Sequence, residues 1–228
     1  MYQPLPPVTK NLLIINVLFY LATLALRTRG IDLESLLGLH YIQAGDFQAY
    51  QLLTYMFMHG SFAHLFFNMF AVWMFGRAVE QVMGARKYII YYLLCGVGAG
   101  LVQEIVQYIH IAQVMDLFKY QSVDIGGHIL PVSAYLNQMI TVGASGSVYA
   151  VLLGFAMLFP RERLIIFPIP YPISAKYMVI GYAILELYLG LSNNPSDNVA
   201  HFAHLGGMVF GFALIMMWKR QYKQRYRR

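Results

Sequence analysis

The sequence predicts an all-α, polytopic membrane protein: a bundle of six transmembrane helices. Three observations predict it. The 228 residues are 59% hydrophobic and only 11% charged, whereas soluble domains carry about 25% charge. Apolar stretches of about 20 residues recur along most of the chain, each long enough to cross a hydrocarbon core of roughly 30 Å. The basic residues gather in alternate connections between those stretches, as the positive-inside rule requires. The single cysteine, Cys95, rules out an internal disulfide and a cysteine-based metal cluster.

Each element follows in chain order. "MYQPLPPVTK" is polar and Pro-rich and lacks signal-peptide features; residues 1–10 read as a cytoplasmic segment. The membrane domain covers residues 11–218, with spans at 11–27, 62–80, 88–110, 139–159, 173–191 and 199–218. With the N-terminus inside, the cytoplasmic side receives Lys10, Arg77, Arg86, Lys87, Arg161, Arg163, Lys176 and the tail from Lys219 to Arg228. The outer side keeps Arg27, Arg29 and Lys119, with Asp32, Glu34, Asp46, Asp116, Asp124 and Asp197. Residues 28–61 read as an interfacial hairpin. In 111–138, Gly126, Gly127 and Pro131 mark turns. "FPIPYPIS" reads as an extended connector because its prolines cannot sit in a helix interior. The basic tail, residues 219–228, suits anionic lipid better than nucleic acid, so the net charge of +6 points to a bilayer partner and to no nucleic acid.

Polar groups at membrane depth are costly and need a reason. His64 and Asn68 are four apart on one helix face. Ser145 and His204 each fall five or six residues into a span running from outside to inside, roughly 8–10 Å below the outer boundary. Gly146, Ala150 and Gly154 form a small-residue stripe, as do Ala203, Gly207 and Gly211; such stripes let helix backbones approach closely. If the stripes face each other, the hydroxyl and the imidazole meet, and a histidine base beside a serine is the minimal unit of nucleophilic acyl transfer. His64, Asn68 and the Ser145 amide are then available as oxyanion donors. Taken singly these groups also read as packing and interhelical hydrogen bonds. A metal set built on His201 and His204, with His59 and His64 added, lacks cysteine and carboxylate partners at that depth. No cofactor site is read. A transporter reading fails for want of inverted repeats and broken helices.

"HGSFAHLFFNMFAVWMFG", "GASGSVYA" and "AHLGGMVFG" together resemble the rhomboid intramembrane serine proteases, in order over residues 11–218. The resemblance implies a rhomboid-like six-helix fold and a Ser–His dyad without a third acid. Ser145 would be the nucleophile and His204 the base, since Gly207 and Gly211 stand three and seven residues beyond His204 and not beyond His201. His64 and Asn68 would be the oxyanion donors, and Tyr149, one turn below Ser145, would stack on the base. Glu80 matches a structural hydrogen-bonding position. Glu104 and Glu186 read as buried structural groups, and Ser147 as packing. Where well-known members carry a Trp-Arg pair, this chain has Tyr50-Gln51, which leaves open how the outer loop is anchored. The implied substrates are single-span transmembrane proteins, cut after a small side chain near the outer boundary. Span five is the expected lateral gate and "GLSNNPSDNV", residues 190–199, the expected lid. The expected location is a bacterial inner membrane, with both termini cytoplasmic.

Overall fold

The computed structural model describes residues 4–114, 121–165, 170–192 and 199–225. Helix α1, Pro7–Arg27, begins with proline at its first position, where a missing N–H costs nothing. Its next free donors go to one acid: Glu80 accepts from Val8 N at 2.9 Å, Thr9 N at 2.7 Å and Thr9 Oγ1 at 2.7 Å. A carboxylate there also complements the positive end of the helix dipole. The structural role expected of Glu80 is thus given a definite form: it caps a helix 71 residues away in sequence.

Residues 28–61 are not a hairpin. They form α2, Leu33–Leu37, capped by Asp32, then a two-residue strand β1, Leu39–His40, then α3, Gln51–Thr54. A 3-10 turn, Tyr55–Phe57, leads to the second long segment. That segment is α4, Phe62–Ala71, capped by the Ser61 side chain, a π-type turn at Val72–Gly76, and α5, Arg77–Met83. Gly84 breaks the chain at φ +78°, and α6, Ala85–Val114, follows. Strands β2, Ser122–Ile125, and β3, His128–Pro131, pair around Gly126 and Gly127, both at positive φ, so the turn expected there is present. Then come α7, Val132–Asn137, and β4, Ile140–Thr141, which pairs antiparallel with β1.

The fourth span differs most from expectation. Helix α8 covers only Ser145–Leu158, because residues 140–141 are committed to the β1 strand and Gly143 adopts φ +126°. Strands β5, Arg163–Leu164, and β6, Ile173–Ser174, pair across the proline-rich connector, whose residues 166–169 lie outside the described residues. Helix α9 is Ala175–Leu191. Helix α10 is His201–Arg225, so most of the expected basic tail continues the last helix.

Helices stand at all six predicted positions. Among the described residues, four segments are long and apolar enough to cross a membrane: Pro7–Arg27, Phe62–Met83, Ala85–Gln113 and His201–Gln221. Helices α8 and α9 are shorter, 14 and 17 residues. Helix α8 is the core of the bundle, packed against α6, α9 and α10, with nine of its residues buried; a helix apolar all round is one enclosed by others. The outer surface is apolar too. Ile14, Leu18 and Leu21 on α1, Phe62 and Phe67 on α4, and Ile184 and Leu191 on α9 are all exposed, more contiguous apolar surface than water tolerates.

Candidate active site

Glycine lets α8 and α10 touch. A Cβ on Gly207 would collide with the carbonyl oxygen of Gly146, and one on Gly146 would lie 3.4 Å from the Ala203 carbonyl. A Cβ on Gly211 would sit 3.1 Å from that of Ala150. The two stripes face each other over these residues. Gly154 instead faces Tyr91 of α6, whose hydroxyl donates to the Ala150 carbonyl at 2.6 Å.

At the top of this seam Ser145 opens α8 and His204 lies in the first turn of α10. Ser145 Oγ is 2.8 Å from His204 Nε2. The serine reaches its depth differently from the reading above. It is the first residue of a short helix, carried inward by extended chain rather than by five residues of helix. Tyr149, one turn on, stacks flat on the His204 ring, 4.3 Å between centroids and 8° between planes. Ser147 points the other way and donates to the Tyr92 carbonyl at 2.7 Å, which is packing, as expected.

His64 lies across Gly143 from the serine. The space beside its Cα is shared by the His64 ring, 2.6 Å from where a Cβ would stand, and Ser145 Oγ, 3.7 Å from the same point. Only glycine fits there, and its N–H is tied to the Tyr55 carbonyl at 2.9 Å. His64 is half-buried and Asn68, one turn further, is buried. His59 meets the His64 ring edge-on at 5.0 Å. Burial first, then the neighbouring His64, holds His59 down at about 3, so it is a neutral packing partner.

The residue that sequence reasoning assigned elsewhere is Glu186. Its carboxylate is buried at 5% exposure. The Tyr149 hydroxyl donates to Oε1. His201 Nδ1 lies 2.6 Å from Oε2 and His204 Nδ1 lies 2.9 Å from the same oxygen. The His204 contact is close but bent, an ion-pair approach rather than an aligned hydrogen bond. This corrects the expectation that no carboxylate reaches the depth of the histidines. A signal for it existed: Glu186 stands five residues from the C-terminal end of α9, the end expected outside, roughly 8 Å down, which is the depth that paired Ser145 with His204.

Glu186, His201 and His204 are also, among the described residues, the set whose donor atoms approach within 4.8 Å of one another. The 2.6 Å separation suits a proton between the partners. Two ligands of one tetrahedral zinc ion stand roughly 3.3 Å apart at ordinary bond lengths.

The Rhomboid domain family model matches residues 46–221, which include all of these groups. The chain belongs to the rhomboid family. Its relatives include the Rhomboid protease AarA of Providencia stuartii, 27% identical over 89% of this chain and 69% of that protein. Rhomboid-like protein 11, chloroplastic, of Arabidopsis thaliana is 28% identical over 90% of this chain and 63% of its own length. The Rhomboid protease GlpG of Salmonella newport is 26% identical over 74% and 48%. This rhomboid thus spans about half to two thirds of the length of several curated relatives it matches. In place of a Trp-Arg pair the segment 28–61 is held by Gln51, 1% exposed. That side chain accepts from His40 N and Gln48 N and donates to the carbonyls of Leu36 and Asp46. Glu104 adds a second tie, accepting from Ile42 N at 2.7 Å. The expected lid lies mostly in 193–198, outside the described residues.

Proposed function

We propose that this rhomboid is an intramembrane serine endopeptidase that cuts transmembrane helices of other proteins near the outer membrane boundary. The observation that carries the reading is the 2.8 Å contact of Ser145 Oγ with His204 Nε2, in a chain whose relatives include proteins named rhomboid proteases.

Ser145 Oγ attacks the substrate carbonyl carbon while its proton passes to His204 Nε2. The carbonyl oxygen becomes an oxyanion facing the Ser145 amide, His64 and Asn68. The C–N bond then breaks, and His204 returns the proton to the leaving amine. Water, activated by the same imidazole, hydrolyses the acyl-serine and restores the free hydroxyl. The flat stacking of Tyr149 supports a fixed ring position for the base.

The substrate class is a single-span transmembrane protein. A helix hides its peptide bonds in its own hydrogen bonds, so cleavage favours segments that unwind, with glycine or small residues near the outer boundary. The bilayer is the second partner, and the exposed apolar face of α9, with Tyr177, Ile180, Ile184 and Tyr188, supports entry from the lipid side. We place the chain in a bacterial inner membrane, crossing six times with both termini cytoplasmic.

The test is cleavage of a transmembrane model substrate by purified wild type, Ser145→Ala and His204→Ala. Wild type should cut and take a fluorophosphonate label; both variants should do neither. Full cleavage by Ser145→Ala would sink the reading.

A further inference from the structure

We infer that Glu186 is a positioning residue for the reaction, giving this rhomboid a serine–histidine–carboxylate triad where a pair alone is expected. The inference rests on the protease reading above and adds a third group to it.

A carboxylate is an acceptor only, so it suits a place where several donors converge. Here two hydrogen bonds converge, from the Tyr149 hydroxyl on Oε1 and His201 Nδ1 on Oε2, and His204 Nδ1 approaches Oε2 to 2.9 Å. The two partners other than His204 lock the carboxylate in place, and His201 stands one turn before His204 on the same helix. Tyr149 has two jobs. It lies flat on the His204 ring and at the same time holds the acid that faces the ring's edge.

The effect on His204 is specific. With Nδ1–H turned to Glu186, the proton-free nitrogen is Nε2, the one 2.8 Å from Ser145 Oγ. That is the tautomer a general base needs, and a carboxylate behind the ring also stabilises the imidazolium formed during attack. No proton passes to Glu186. The proton taken from Ser145 stays on Nε2 until the leaving amine receives it, and Nδ1–H stays on Nδ1 throughout. The bent approach of Nδ1 in the resting site is the kind of contact that tightens when substrate is bound.

Position alone does not explain this arrangement. A buried acid placed merely to tie α9 to α8 needs the Tyr149 bond and nothing more. Glu186 also faces the imidazole edge opposite the serine.

The experiment compares wild type, Glu186→Gln, Ser145→Ala and His204→Ala in one micelle or vesicle preparation, with the transmembrane substrate and with a fluorophosphonate. Glutamine keeps the shape and an acceptor oxygen but loses the charge. The expected result is a kcat lower by about 10²–10⁴, a KM within about threefold, and a fluorophosphonate labelling rate that falls in parallel. A kcat within about threefold of wild type overturns the inference. So does a loss carried by KM with kcat unchanged.

Should Glu186→Gln not fold, the wild type itself decides. With ¹⁵N-labelled histidine, a proton on His204 Nδ1, protected from exchange and present in Ser145→Ala, is expected. Its absence, or a proton resting on Nε2 instead, overturns the inference. If Ser145→Ala or His204→Ala retains cleavage, the protease reading fails instead. If both are dead while Glu186→Gln is unimpaired, only the role of Glu186 fails.

Discussion

Asn68 is buried one helical turn below His64 on α4, a helix that packs against α1 and α8. A buried amide is kept for its hydrogen bonds, because leaving it unpaired costs about 1–3 kcal/mol. In the proposed reaction it donates to an oxygen whose charge exists only in the transition state. Asn68→Ala should therefore lower kcat by about 10²–10³ and leave KM nearly unchanged. Steady-state cleavage of a transmembrane substrate checks this, and a change confined to KM would remove Asn68 from the oxyanion site. The residues of the site were unevenly legible. Ser145, His204, His64 and Asn68 stood out because each is polar at a depth where polarity is costly. Glu186 met the same criterion, but nothing in the sequence shows which face of α9 turns toward His204. Only the packing of α9 on α10 brings them together. Gln51 was invisible as an anchor for a similar reason: its four partners span residues 36 to 48 of an irregular loop.

At the scale of the elements, the α8–α10 seam sets the site. Gly207 and Gly146 touch backbone to backbone, so a methyl group at 207 meets a carbonyl oxygen that no side-chain rotation can move. The helices can accept it only by separating, and the 2.8 Å contact at the top of the seam opens with them. Gly207→Ala should thus lose at least tenfold in kcat and melt several degrees lower. Gly181→Ala, in α9 with nothing within 4 Å of the added carbon, should keep full activity and gain up to about 1 kcal/mol of stability. Cleavage rates and thermal melts of the two variants side by side check both; equal behaviour would show that the seam does not govern the site. The stripes that make this contact repeat every four residues and could be read directly. The true start of α8 could not. Residues 139–144 are as apolar as a span, and what keeps them extended is pairing with a strand about 100 residues earlier, which local hydrophobicity does not encode.

For the whole molecule, the open question of architecture is whether α8 and α9 cross the membrane, and one residue decides it. Among the described residues, four segments are long enough to span by themselves. If only those four crossed, the chain would leave α6 on the outer side and stay there until α10, and Arg161, between α8 and α9, would face outward. If α8 and α9 cross as a pair, Arg161 faces the cytoplasm with Arg163 and Lys176. Burial favours the second arrangement, because α8 packs against α6 and α10, both long enough to span, and a 14-residue helix needs no lipid contact of its own to sit at membrane depth. The basic residues favour it as well, since Arg161 and Arg163 in the connection and Lys176 in the first turn of α9 belong inside. Arg161 and Asp46 are both exposed, and Cys95, fully buried, can be replaced by alanine to clear the background. In that background Asp46→Cys should react with a membrane-impermeant maleimide on intact cells. Arg161→Cys should react only after the membrane is permeabilised. Labelling of Arg161→Cys on intact cells would reduce the molecule to four crossings. It would also place the α8–α9 connector, its basic residues and the entry side of the proposed gate on the outer face.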